Sequence, residues 1–317
     1  MRTHHALESL LDEAEQNQRL AHGAPMPLQK ALQRRLLAGE VTRPYPNLYA
    51  RTAYWKALNP RERAMCIARS LAQLHPRWAF GGLVAATAHG LEHQWGLHTD
   101  QPIMVISRRH GGVRSDARIL RIAAPHEPIV TADGLRVTTM ARTVVDCGLL
   151  LPFRSALPIM NSALANGVSL NDLFAVCGRM HRDCLPILRL TRYADPRCEN
   201  GGESLALGTI VELGYMAPLA QMAFVDPETG QRYRVDFAWR LPDGRIIAGE
   251  LDGRRKYVDV DMTKGRDVDA VVAAERQRQQ GLARAGVSDI VRFTFRDAFD
   301  RIPLDAKLRE HGVPRAR

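Results

Sequence analysis

The stretch RYRVDFAWRLPDGRIIAGELDGRR, residues 232–255, constrains the fold more than any other part of the chain. Two apolar-rich runs flank Pro242-Asp243-Gly244, the chemistry of a tight hairpin with glycine in the left-handed position. A three-residue loop pairs Leu241 with Arg245, then Arg240 with Ile246, Ala238 with Ala248 and Asp236 with Glu250. A two-residue Asp-Gly turn slips the register by one and sends the two acids to opposite faces. The order Pro-Asp-Gly favours the longer loop.

In that register Tyr233, Val235, Phe237 and Trp239 share a core face with Ile247 and Leu251. Arg234, Asp236, Ala238, Ala248, Glu250 and Asp252 share the other face. Directly opposed residues hold their Cβ atoms about 4.5–5.5 Å apart. Two carboxylates that close repel unless a proton or a cation lies between them. A divalent cation on oxygen ligands, Mg2+ or Mn2+, answers that repulsion, with Asp236 and Glu250 as its ligands. Glu203 falls on the helical stripe of Ala206, Ile210 and Leu213, so it opens a buried face. The plainer alternatives are a solvent-exposed hairpin face for Asp236 and Glu250, and a first-turn acid favoured by the helix dipole for Glu203. For Asp252 the plain alternative is a cross-strand salt bridge to Arg234.

These residues carry a resemblance. Glu203 on a helix, Asp236 on a strand and then Glu250-x-Asp252-Gly253 resembles the PD-(D/E)XK nuclease fold. More closely it is similar to the Vsr-like (very-short-patch-repair endonuclease-like) branch. The later AERQRQQGLARAGVSDIVRFTFRD is similar to that branch's helix with arginine, leucine and glycine, followed by a V-R-F strand. The resemblance covers residues 198–300 and implies a restriction-endonuclease-like α/β domain. By it, Asp236 and Glu250 hold the metal, Asp252 stands at the usual lysine position and Glu203 orients the site. The catalytic set it implies is Glu203, Asp236, Glu250, Asp252 and Lys256. Two departures stand out. The lysine is replaced by Asp252, leaving Lys256 or Arg254 to reach in from the next turn. Tyr257 stands where relatives often carry a histidine, and tyrosine is no base near neutral pH.

Ahead of that region the charge changes character. Residues 1–197 hold 25 Lys and Arg against 15 Asp and Glu, a balance of +10, whereas residues 198–317 hold 19 of each. The excess is almost all arginine, whose fork of donors matches phosphate oxygens. Helices are expected over 6–20 and 28–38, the second with Leu28, Leu32 and Leu36 on one stripe and Gly39 at its end. EVTRPYPNLYAR then supplies a basic turn and a short strand. Helix, helix, turn and strand outline a winged helix-turn-helix over 1–58, with Arg34, Arg35, Arg43 and Arg51 placed for DNA phosphates. Strands are expected over 102–108, 117–123 and 134–139 in an α/β region spanning 59–192. RYADPRCENGGE, rich in proline, glycine and charge, marks the boundary to the domain 198–317.

The first part also carries a resemblance. NLYA, FGGLVAATAHGL and GLRVTTMARTVVDCG are similar to the AbiEi-type antitoxin and regulator family, over about residues 25–175. The T-x-x-R-T-x-x-D stretch of that family is here Thr139, Arg142, Thr143 and Asp146. The resemblance implies a DNA-binding regulator, with a cognate toxin protein as partner. Arg142 and Asp146 lie four apart on a helix, the spacing of a structural ion pair.

Other features narrow the classes. No apolar run approaches the roughly eighteen residues of a membrane span. MRTHHALESLLDEAEQ puts acids where a signal peptide has its apolar region, so a cytoplasmic protein without a membrane partner is expected. Cys66, Cys147, Cys177, Cys184 and Cys198 form no CxxC pair and fit reduced thiols. His89, His93 and His98 have zinc-like spacing but no cysteine or acid to complete a set. RRHGGVR, 108–114, lacks the P-loop lysine and reads as a solvated hairpin. These readings converge on a mixed α/β protein that binds DNA and ends in a Mg-dependent endonuclease domain. The alternative is an AbiEi-like regulator or antitoxin whose nuclease fold is catalytically degenerate.

Overall fold

The computed structural model describes residues 5–23, 26–107, 118–124, 126–180, 182–252 and 268–316. The chain is mixed α/β and divides into two compact units, Met1–Leu150 with Asn171–His181, and Leu151–Leu170 with Arg182–Arg317. Among the described residues no helix is long and apolar enough to cross a membrane.

The first unit opens with α1 (His5–Gln16), β1 (Ala21–His22), α2 (Met26–Leu37) and the hairpin β2 (Val41–Tyr45) and β3 (Leu48–Arg51). The three strands form one sheet in the order β1-β3-β2. The hairpin tip uses Asn47 at φ 59, a left-handed position that asparagine tolerates. Leu32 is fully buried beside Leu7, Leu11, Val41 and Tyr49, with Leu28 and Leu36 packed at the edge of that cluster. Strand β3 is buried on both sides, because Leu48 and Ala50 enter a second cluster around Phe80, Val105 and Val137.

That second cluster belongs to a five-stranded sheet of β4 (Ala79–Gly81), β5 (Ile103–Ser107), β6 (Ile119–Ala123), β7 (Ile129–Ala132) and β8 (Leu135–Thr138), in the order β6-β5-β4-β8-β7. Helices α3 (Thr52–Ala57), α4 (Pro60–Leu74), α5 (Gly82–Ala88), α6 (Leu97–Asp100) and α7 (Met140–Leu150) complete this stretch. Asn59 and Glu62 form a reciprocal cap that starts α4, with Pro60 just inside it. Of the next two helices, α8 (Phe153–Ala165) joins the second unit and α9 (Leu170–Arg179) returns to the first from its second residue on.

The second unit continues with α10 (Leu185–Tyr193), α11 (Gly201–Glu212), β9 (Leu219–Val225), β10 (Arg232–Arg240), β11 (Ile246–Asp252), α12 (Val268–Arg284), β12 (Val287–Thr294), α13 (Phe295–Asp300) and α14 (Ile302–Glu310). Its sheet runs β12-β11-β10-β9. The first three strands form an antiparallel meander, and β12 joins β11 in parallel after the crossover helix α12.

These units differ from the division expected at 58 and 192–203. The helix–hairpin segment shares a core with the α/β region, so residues 1–58 are part of a larger unit. Helix α8 packs against both α10 and α11 and belongs with them. Gly208 of α11 lies so close to α8 that an added Cβ would sit 2.8 Å from Arg154 Cα. Asn161 Nδ2 of α8 also donates to Ser204 Oγ of α11 at 3.0 Å. On these bounds the first unit carries 20 Lys and Arg against 13 Asp and Glu and the second 24 against 21, balances of +7 and +3. The segregation of charge is therefore weaker than a division at residue 197 implies.

Candidate functional site

The hairpin β10–β11 has the three-residue loop. Leu241 N donates to Arg245 O at 2.9 Å, and Gly244 takes φ 88. Arg240 pairs with Ile246, Trp239 with Ile247, Ala238 with Ala248 and Phe237 with Gly249. Carried one residue further, this register sets Asp236 opposite Glu250. There the ladder gives way to a side chain, with Leu251 N donating to Asp236 Oδ2 at 2.8 Å.

The expected face pattern holds only in part. Phe237 stacks on Phe293, centroids 6.1 Å apart, and Trp239 Nε1 donates to Met216 O. Tyr233 instead lies over Gly281 of α12, and Val235 joins the cluster of Ala238, Ala248 and Leu282. The apolar stripe therefore splits between two layers at Asp236. The physical cause lies on the neighbouring strand. Val235 pairs with Met222 and Phe237 with Ala220, so Asp236 faces Gln221, which takes φ 52. A left-handed residue inside a strand breaks its two-residue alternation.

Gln221 connects this break to Glu203. Its Nε2 donates to Glu203 Oε2 at 2.8 Å, while its Oε1 is buried with no hydrogen-bond partner. Glu203 is 4% exposed, as the stripe on α11 requires. It also accepts from Glu199 N at 2.8 Å and from Asn200 Nδ2 at 2.6 Å, and Asn200 caps the helix in return. Burial pushes the Glu203 carboxyl above the usual range against these bonds, with the nearby charge of Asp236 adding to the rise.

Glu250 is not left to a cation alone. Arg278 Nη1 of α12 lies 2.5 Å from Glu250 Oε1, and Arg292 Nη2 of β12 lies 3.8 Å from Oε2. The contact to Oε1 is close in charge but misaligned, so that oxygen is buried without a hydrogen bond. Arg292 is shared with Glu275, and Arg278 also donates to Arg234 O at 2.8 Å. Arg234 pairs with Glu199, so the plain alternative for Asp252, a salt bridge to Arg234, is replaced. Asp252 ends β11 opposite Thr294. Lys256, Arg254 and Tyr257 lie outside the described residues, as does the stretch 108–114.

Among the described residues no three His, Cys, Asp or Glu side chains converge as metal ligands. The two carboxylates that the register opposes are Asp236 and Glu250, and Gln221, which faces Asp236 from β9, has an amide oxygen without a hydrogen bond. Gln221, Arg278 and Arg292 are the members the sequence reading missed. A lone polar residue in LAQMAFV, and arginines at buried-face spacing in RQRQQG and IVRFT, were the signals for them.

In the first unit the four arginines divide. Arg35 lies 2.5 Å from Glu8, and Arg51 meets Glu8 and Asp12 at 2.7 Å and Glu15 at 3.1 Å. Arg34 and Arg43 are exposed. Arg142 forms the ion pair its spacing suggests, 2.9 Å from Asp146, and also meets Glu127 at 2.5 Å, with all three side chains shielded from solvent. His93 and His98 bring their Nε2 atoms to 2.9 Å, while His89 instead contacts Thr138 O. Compared with family models, curated proteins and solved structures, the chain matches none.

Proposed function

We propose that this chain binds DNA through its first unit and hydrolyses phosphodiester bonds through its second, as a metal-dependent endonuclease. The observation that carries the reading is the hairpin register, which, carried one residue past Phe237 and Gly249, opposes Asp236 to Glu250. The second unit's mixed sheet with flanking helices is compatible with the α/β domain that the nuclease resemblance implies. Asp236, Glu250 and the Gln221 amide are hard oxygen donors of the kind Mg2+ or Mn2+ takes, so the residues present fit the ion. When bound, it supplies Lewis acidity to a phosphate and a water acidified to hydroxide.

The chain's own groups do the rest. Leu251 N fixes the orientation of Asp236. Glu203 holds Gln221 in its left-handed conformation and sits too deep to meet substrate. Arg278 and Arg292 bring two guanidinium groups to the same carboxylate, with donors shaped for phosphate oxygens. Arg34 and Arg43 are the open phosphate contacts of the first unit.

A second reading, an AbiEi-like regulator or antitoxin with a toxin partner and no turnover, is favoured by two observations. Glu250 already has arginine neighbours, and Asp252 replaces the usual lysine. Full-length protein with Mg2+ or Mn2+ on single- and double-stranded DNA separates the two. Cleavage is expected, and Asp236→Asn should lower it by at least about a hundredfold, the scale of losing one electrostatic catalytic group. DNA bound but never cut would replace the endonuclease with the regulator.

A further inference from the structure

A cavity of about 300 Å3 is lined entirely by residues of the first unit. The hairpin residues Pro44 and Tyr45 form one wall, Trp55 and Arg63 another, and Ile67 and Val84 are among its apolar lining. Its size is at the small end of pockets that hold organic ligands, and a mostly apolar lining with a few polar groups is their usual composition.

One polar group of this cavity stands out. Arg63 is half-buried, donating from Nε to Trp55 O at 3.0 Å and from Nη2 to Lys56 O at 3.2 Å. Its guanidinium lies 5.4 Å over the Trp55 ring, and it forms no ion pair among the described residues. Arg35, Arg51, Arg142 and Arg278, by contrast, each meet a carboxylate. Arg118, 5.9 Å from the Tyr45 ring, and Asp100 also line the cavity. A cation held at an apolar cavity without its counter-charge suits an anion that carries an apolar body.

We propose that this cavity binds a small organic acid, its carboxylate on Arg63 and its hydrocarbon part against Trp55, Ile67 and Val84. The site depends on neither DNA binding nor phosphodiester cleavage, so it stands or falls apart from them. The hairpin that forms its wall also carries Arg43, which gives occupancy a direct route to the face read as the DNA contact.

The test is calorimetry or ligand-observed NMR on the full chain without DNA, using benzoate, its uncharged isostere benzamide and inorganic phosphate. Benzoate should bind with Kd below about 1 mM, reasonable for nine heavy atoms. Benzamide should bind at least tenfold more weakly, and phosphate should not displace benzoate. Arg63→Gln should weaken benzoate at least tenfold. Ile67→Trp, which fills the cavity and leaves the charge, should do the same and serves if Arg63→Gln does not fold. Equal binding of benzamide, displacement by phosphate alone, unchanged binding in either folded variant or no benzoate binding would each overturn the proposal.

Discussion

The arginines of the α2–β3 segment and the acids of the β10–β11 hairpin make an instructive pair. Each set, read along the sequence, is charge awaiting an outside partner, phosphate in one case and a cation in the other. In each, part of the set is neutralised inside the chain. Arg35 and Arg51 clasp Glu8, Asp12 and Glu15 of α1, and Glu250 meets Arg278 and Arg292. The difference lies in what remains. On the first segment the remaining cations, Arg34 and Arg43, stand in solvent at no structural cost. At the hairpin the remainder is internal: Asp236, a buried amide oxygen and a glutamine in the left-handed region. A buried unbonded oxygen alone does not separate the two, because Glu15 Oε1 is another. The place of Gln221 does, because it is left-handed inside a strand, whereas Gln18 and Asn47 of the first region take that conformation in turns.

The comparison is sharpened most by cation binding. A ligand that binds only the folded state stabilises it by about 2.7 kcal/mol at a hundredfold excess over its Kd. Full-length protein should gain about that much with saturating Mg2+, read by hydrogen exchange at β10 and β11. Asp236→Asn should lose the gain. Arg278→Gln should lower stability in EDTA but increase the gain, because the guanidinium no longer competes for Glu250. Equal and zero gain in all three proteins would make the hairpin a closed network like the clasp on α1, and the contrast would fail.

Much of this was legible in the sequence, and the reasons for the rest are physical. The register was readable because Pro242-Asp243-Gly244 specifies its own loop, a local property. The burial of Glu203 followed from helical spacing in the same way. The split of the apolar stripe was not readable, since it depends on Gln221 of another strand adopting φ 52. Nor were the contacts of Arg35 and Arg51 with Glu8, or of Glu250 with Arg278 and Arg292, which are distant in sequence and form only through tertiary packing. The boundary misled for a related reason. RYADPRCENGGE has the composition of a linker, yet α8 before it packs with α11 beyond it.

A second test asks whether the clasp and the open cations are different in kind. Arg34→Ala and Arg43→Ala should each reduce the salt slope of DNA binding by about one unit and leave stability within about 0.5 kcal/mol. Arg51→Ala should do the reverse. Its loss leaves three carboxylates facing one another and costs about 1–2 kcal/mol, discounted for their partial exposure. Urea unfolding and fluorescence anisotropy at several salt concentrations check both. A salt slope that falls equally for Arg34 and Arg51 would mean that the clasp opens on DNA, and the division of the arginines would be void.

The smallest effect is also the most direct measure of the contrast, because the two regions should respond to pH with opposite sign. Hydrogen bonds from Arg51 and then Arg35 hold the Glu8 carboxyl below its usual range. It binds its proton less tightly folded than unfolded, so the stability it contributes is present above the ordinary carboxylate range and is lost as pH falls through the lowered value. Burial holds Glu203 above its usual range. It binds its proton more tightly folded, so its contribution is present at low pH and is lost as pH rises through the raised value. Carbon-13 titration of the glutamate carboxyls in metal-free buffer should therefore find Glu8 on the acid side of an ordinary glutamate and Glu203 on the alkaline side. Adding Mg2+ should move Glu203 back toward the ordinary range, since a cation beside Asp236 offsets the charge that helps to raise it. Glu8, which belongs to the other unit and has no part in the proposed site, should not move. If Glu203 titrates with Glu8 on the acid side, its buried carboxylate is already compensated, and the hairpin is as settled as the clasp.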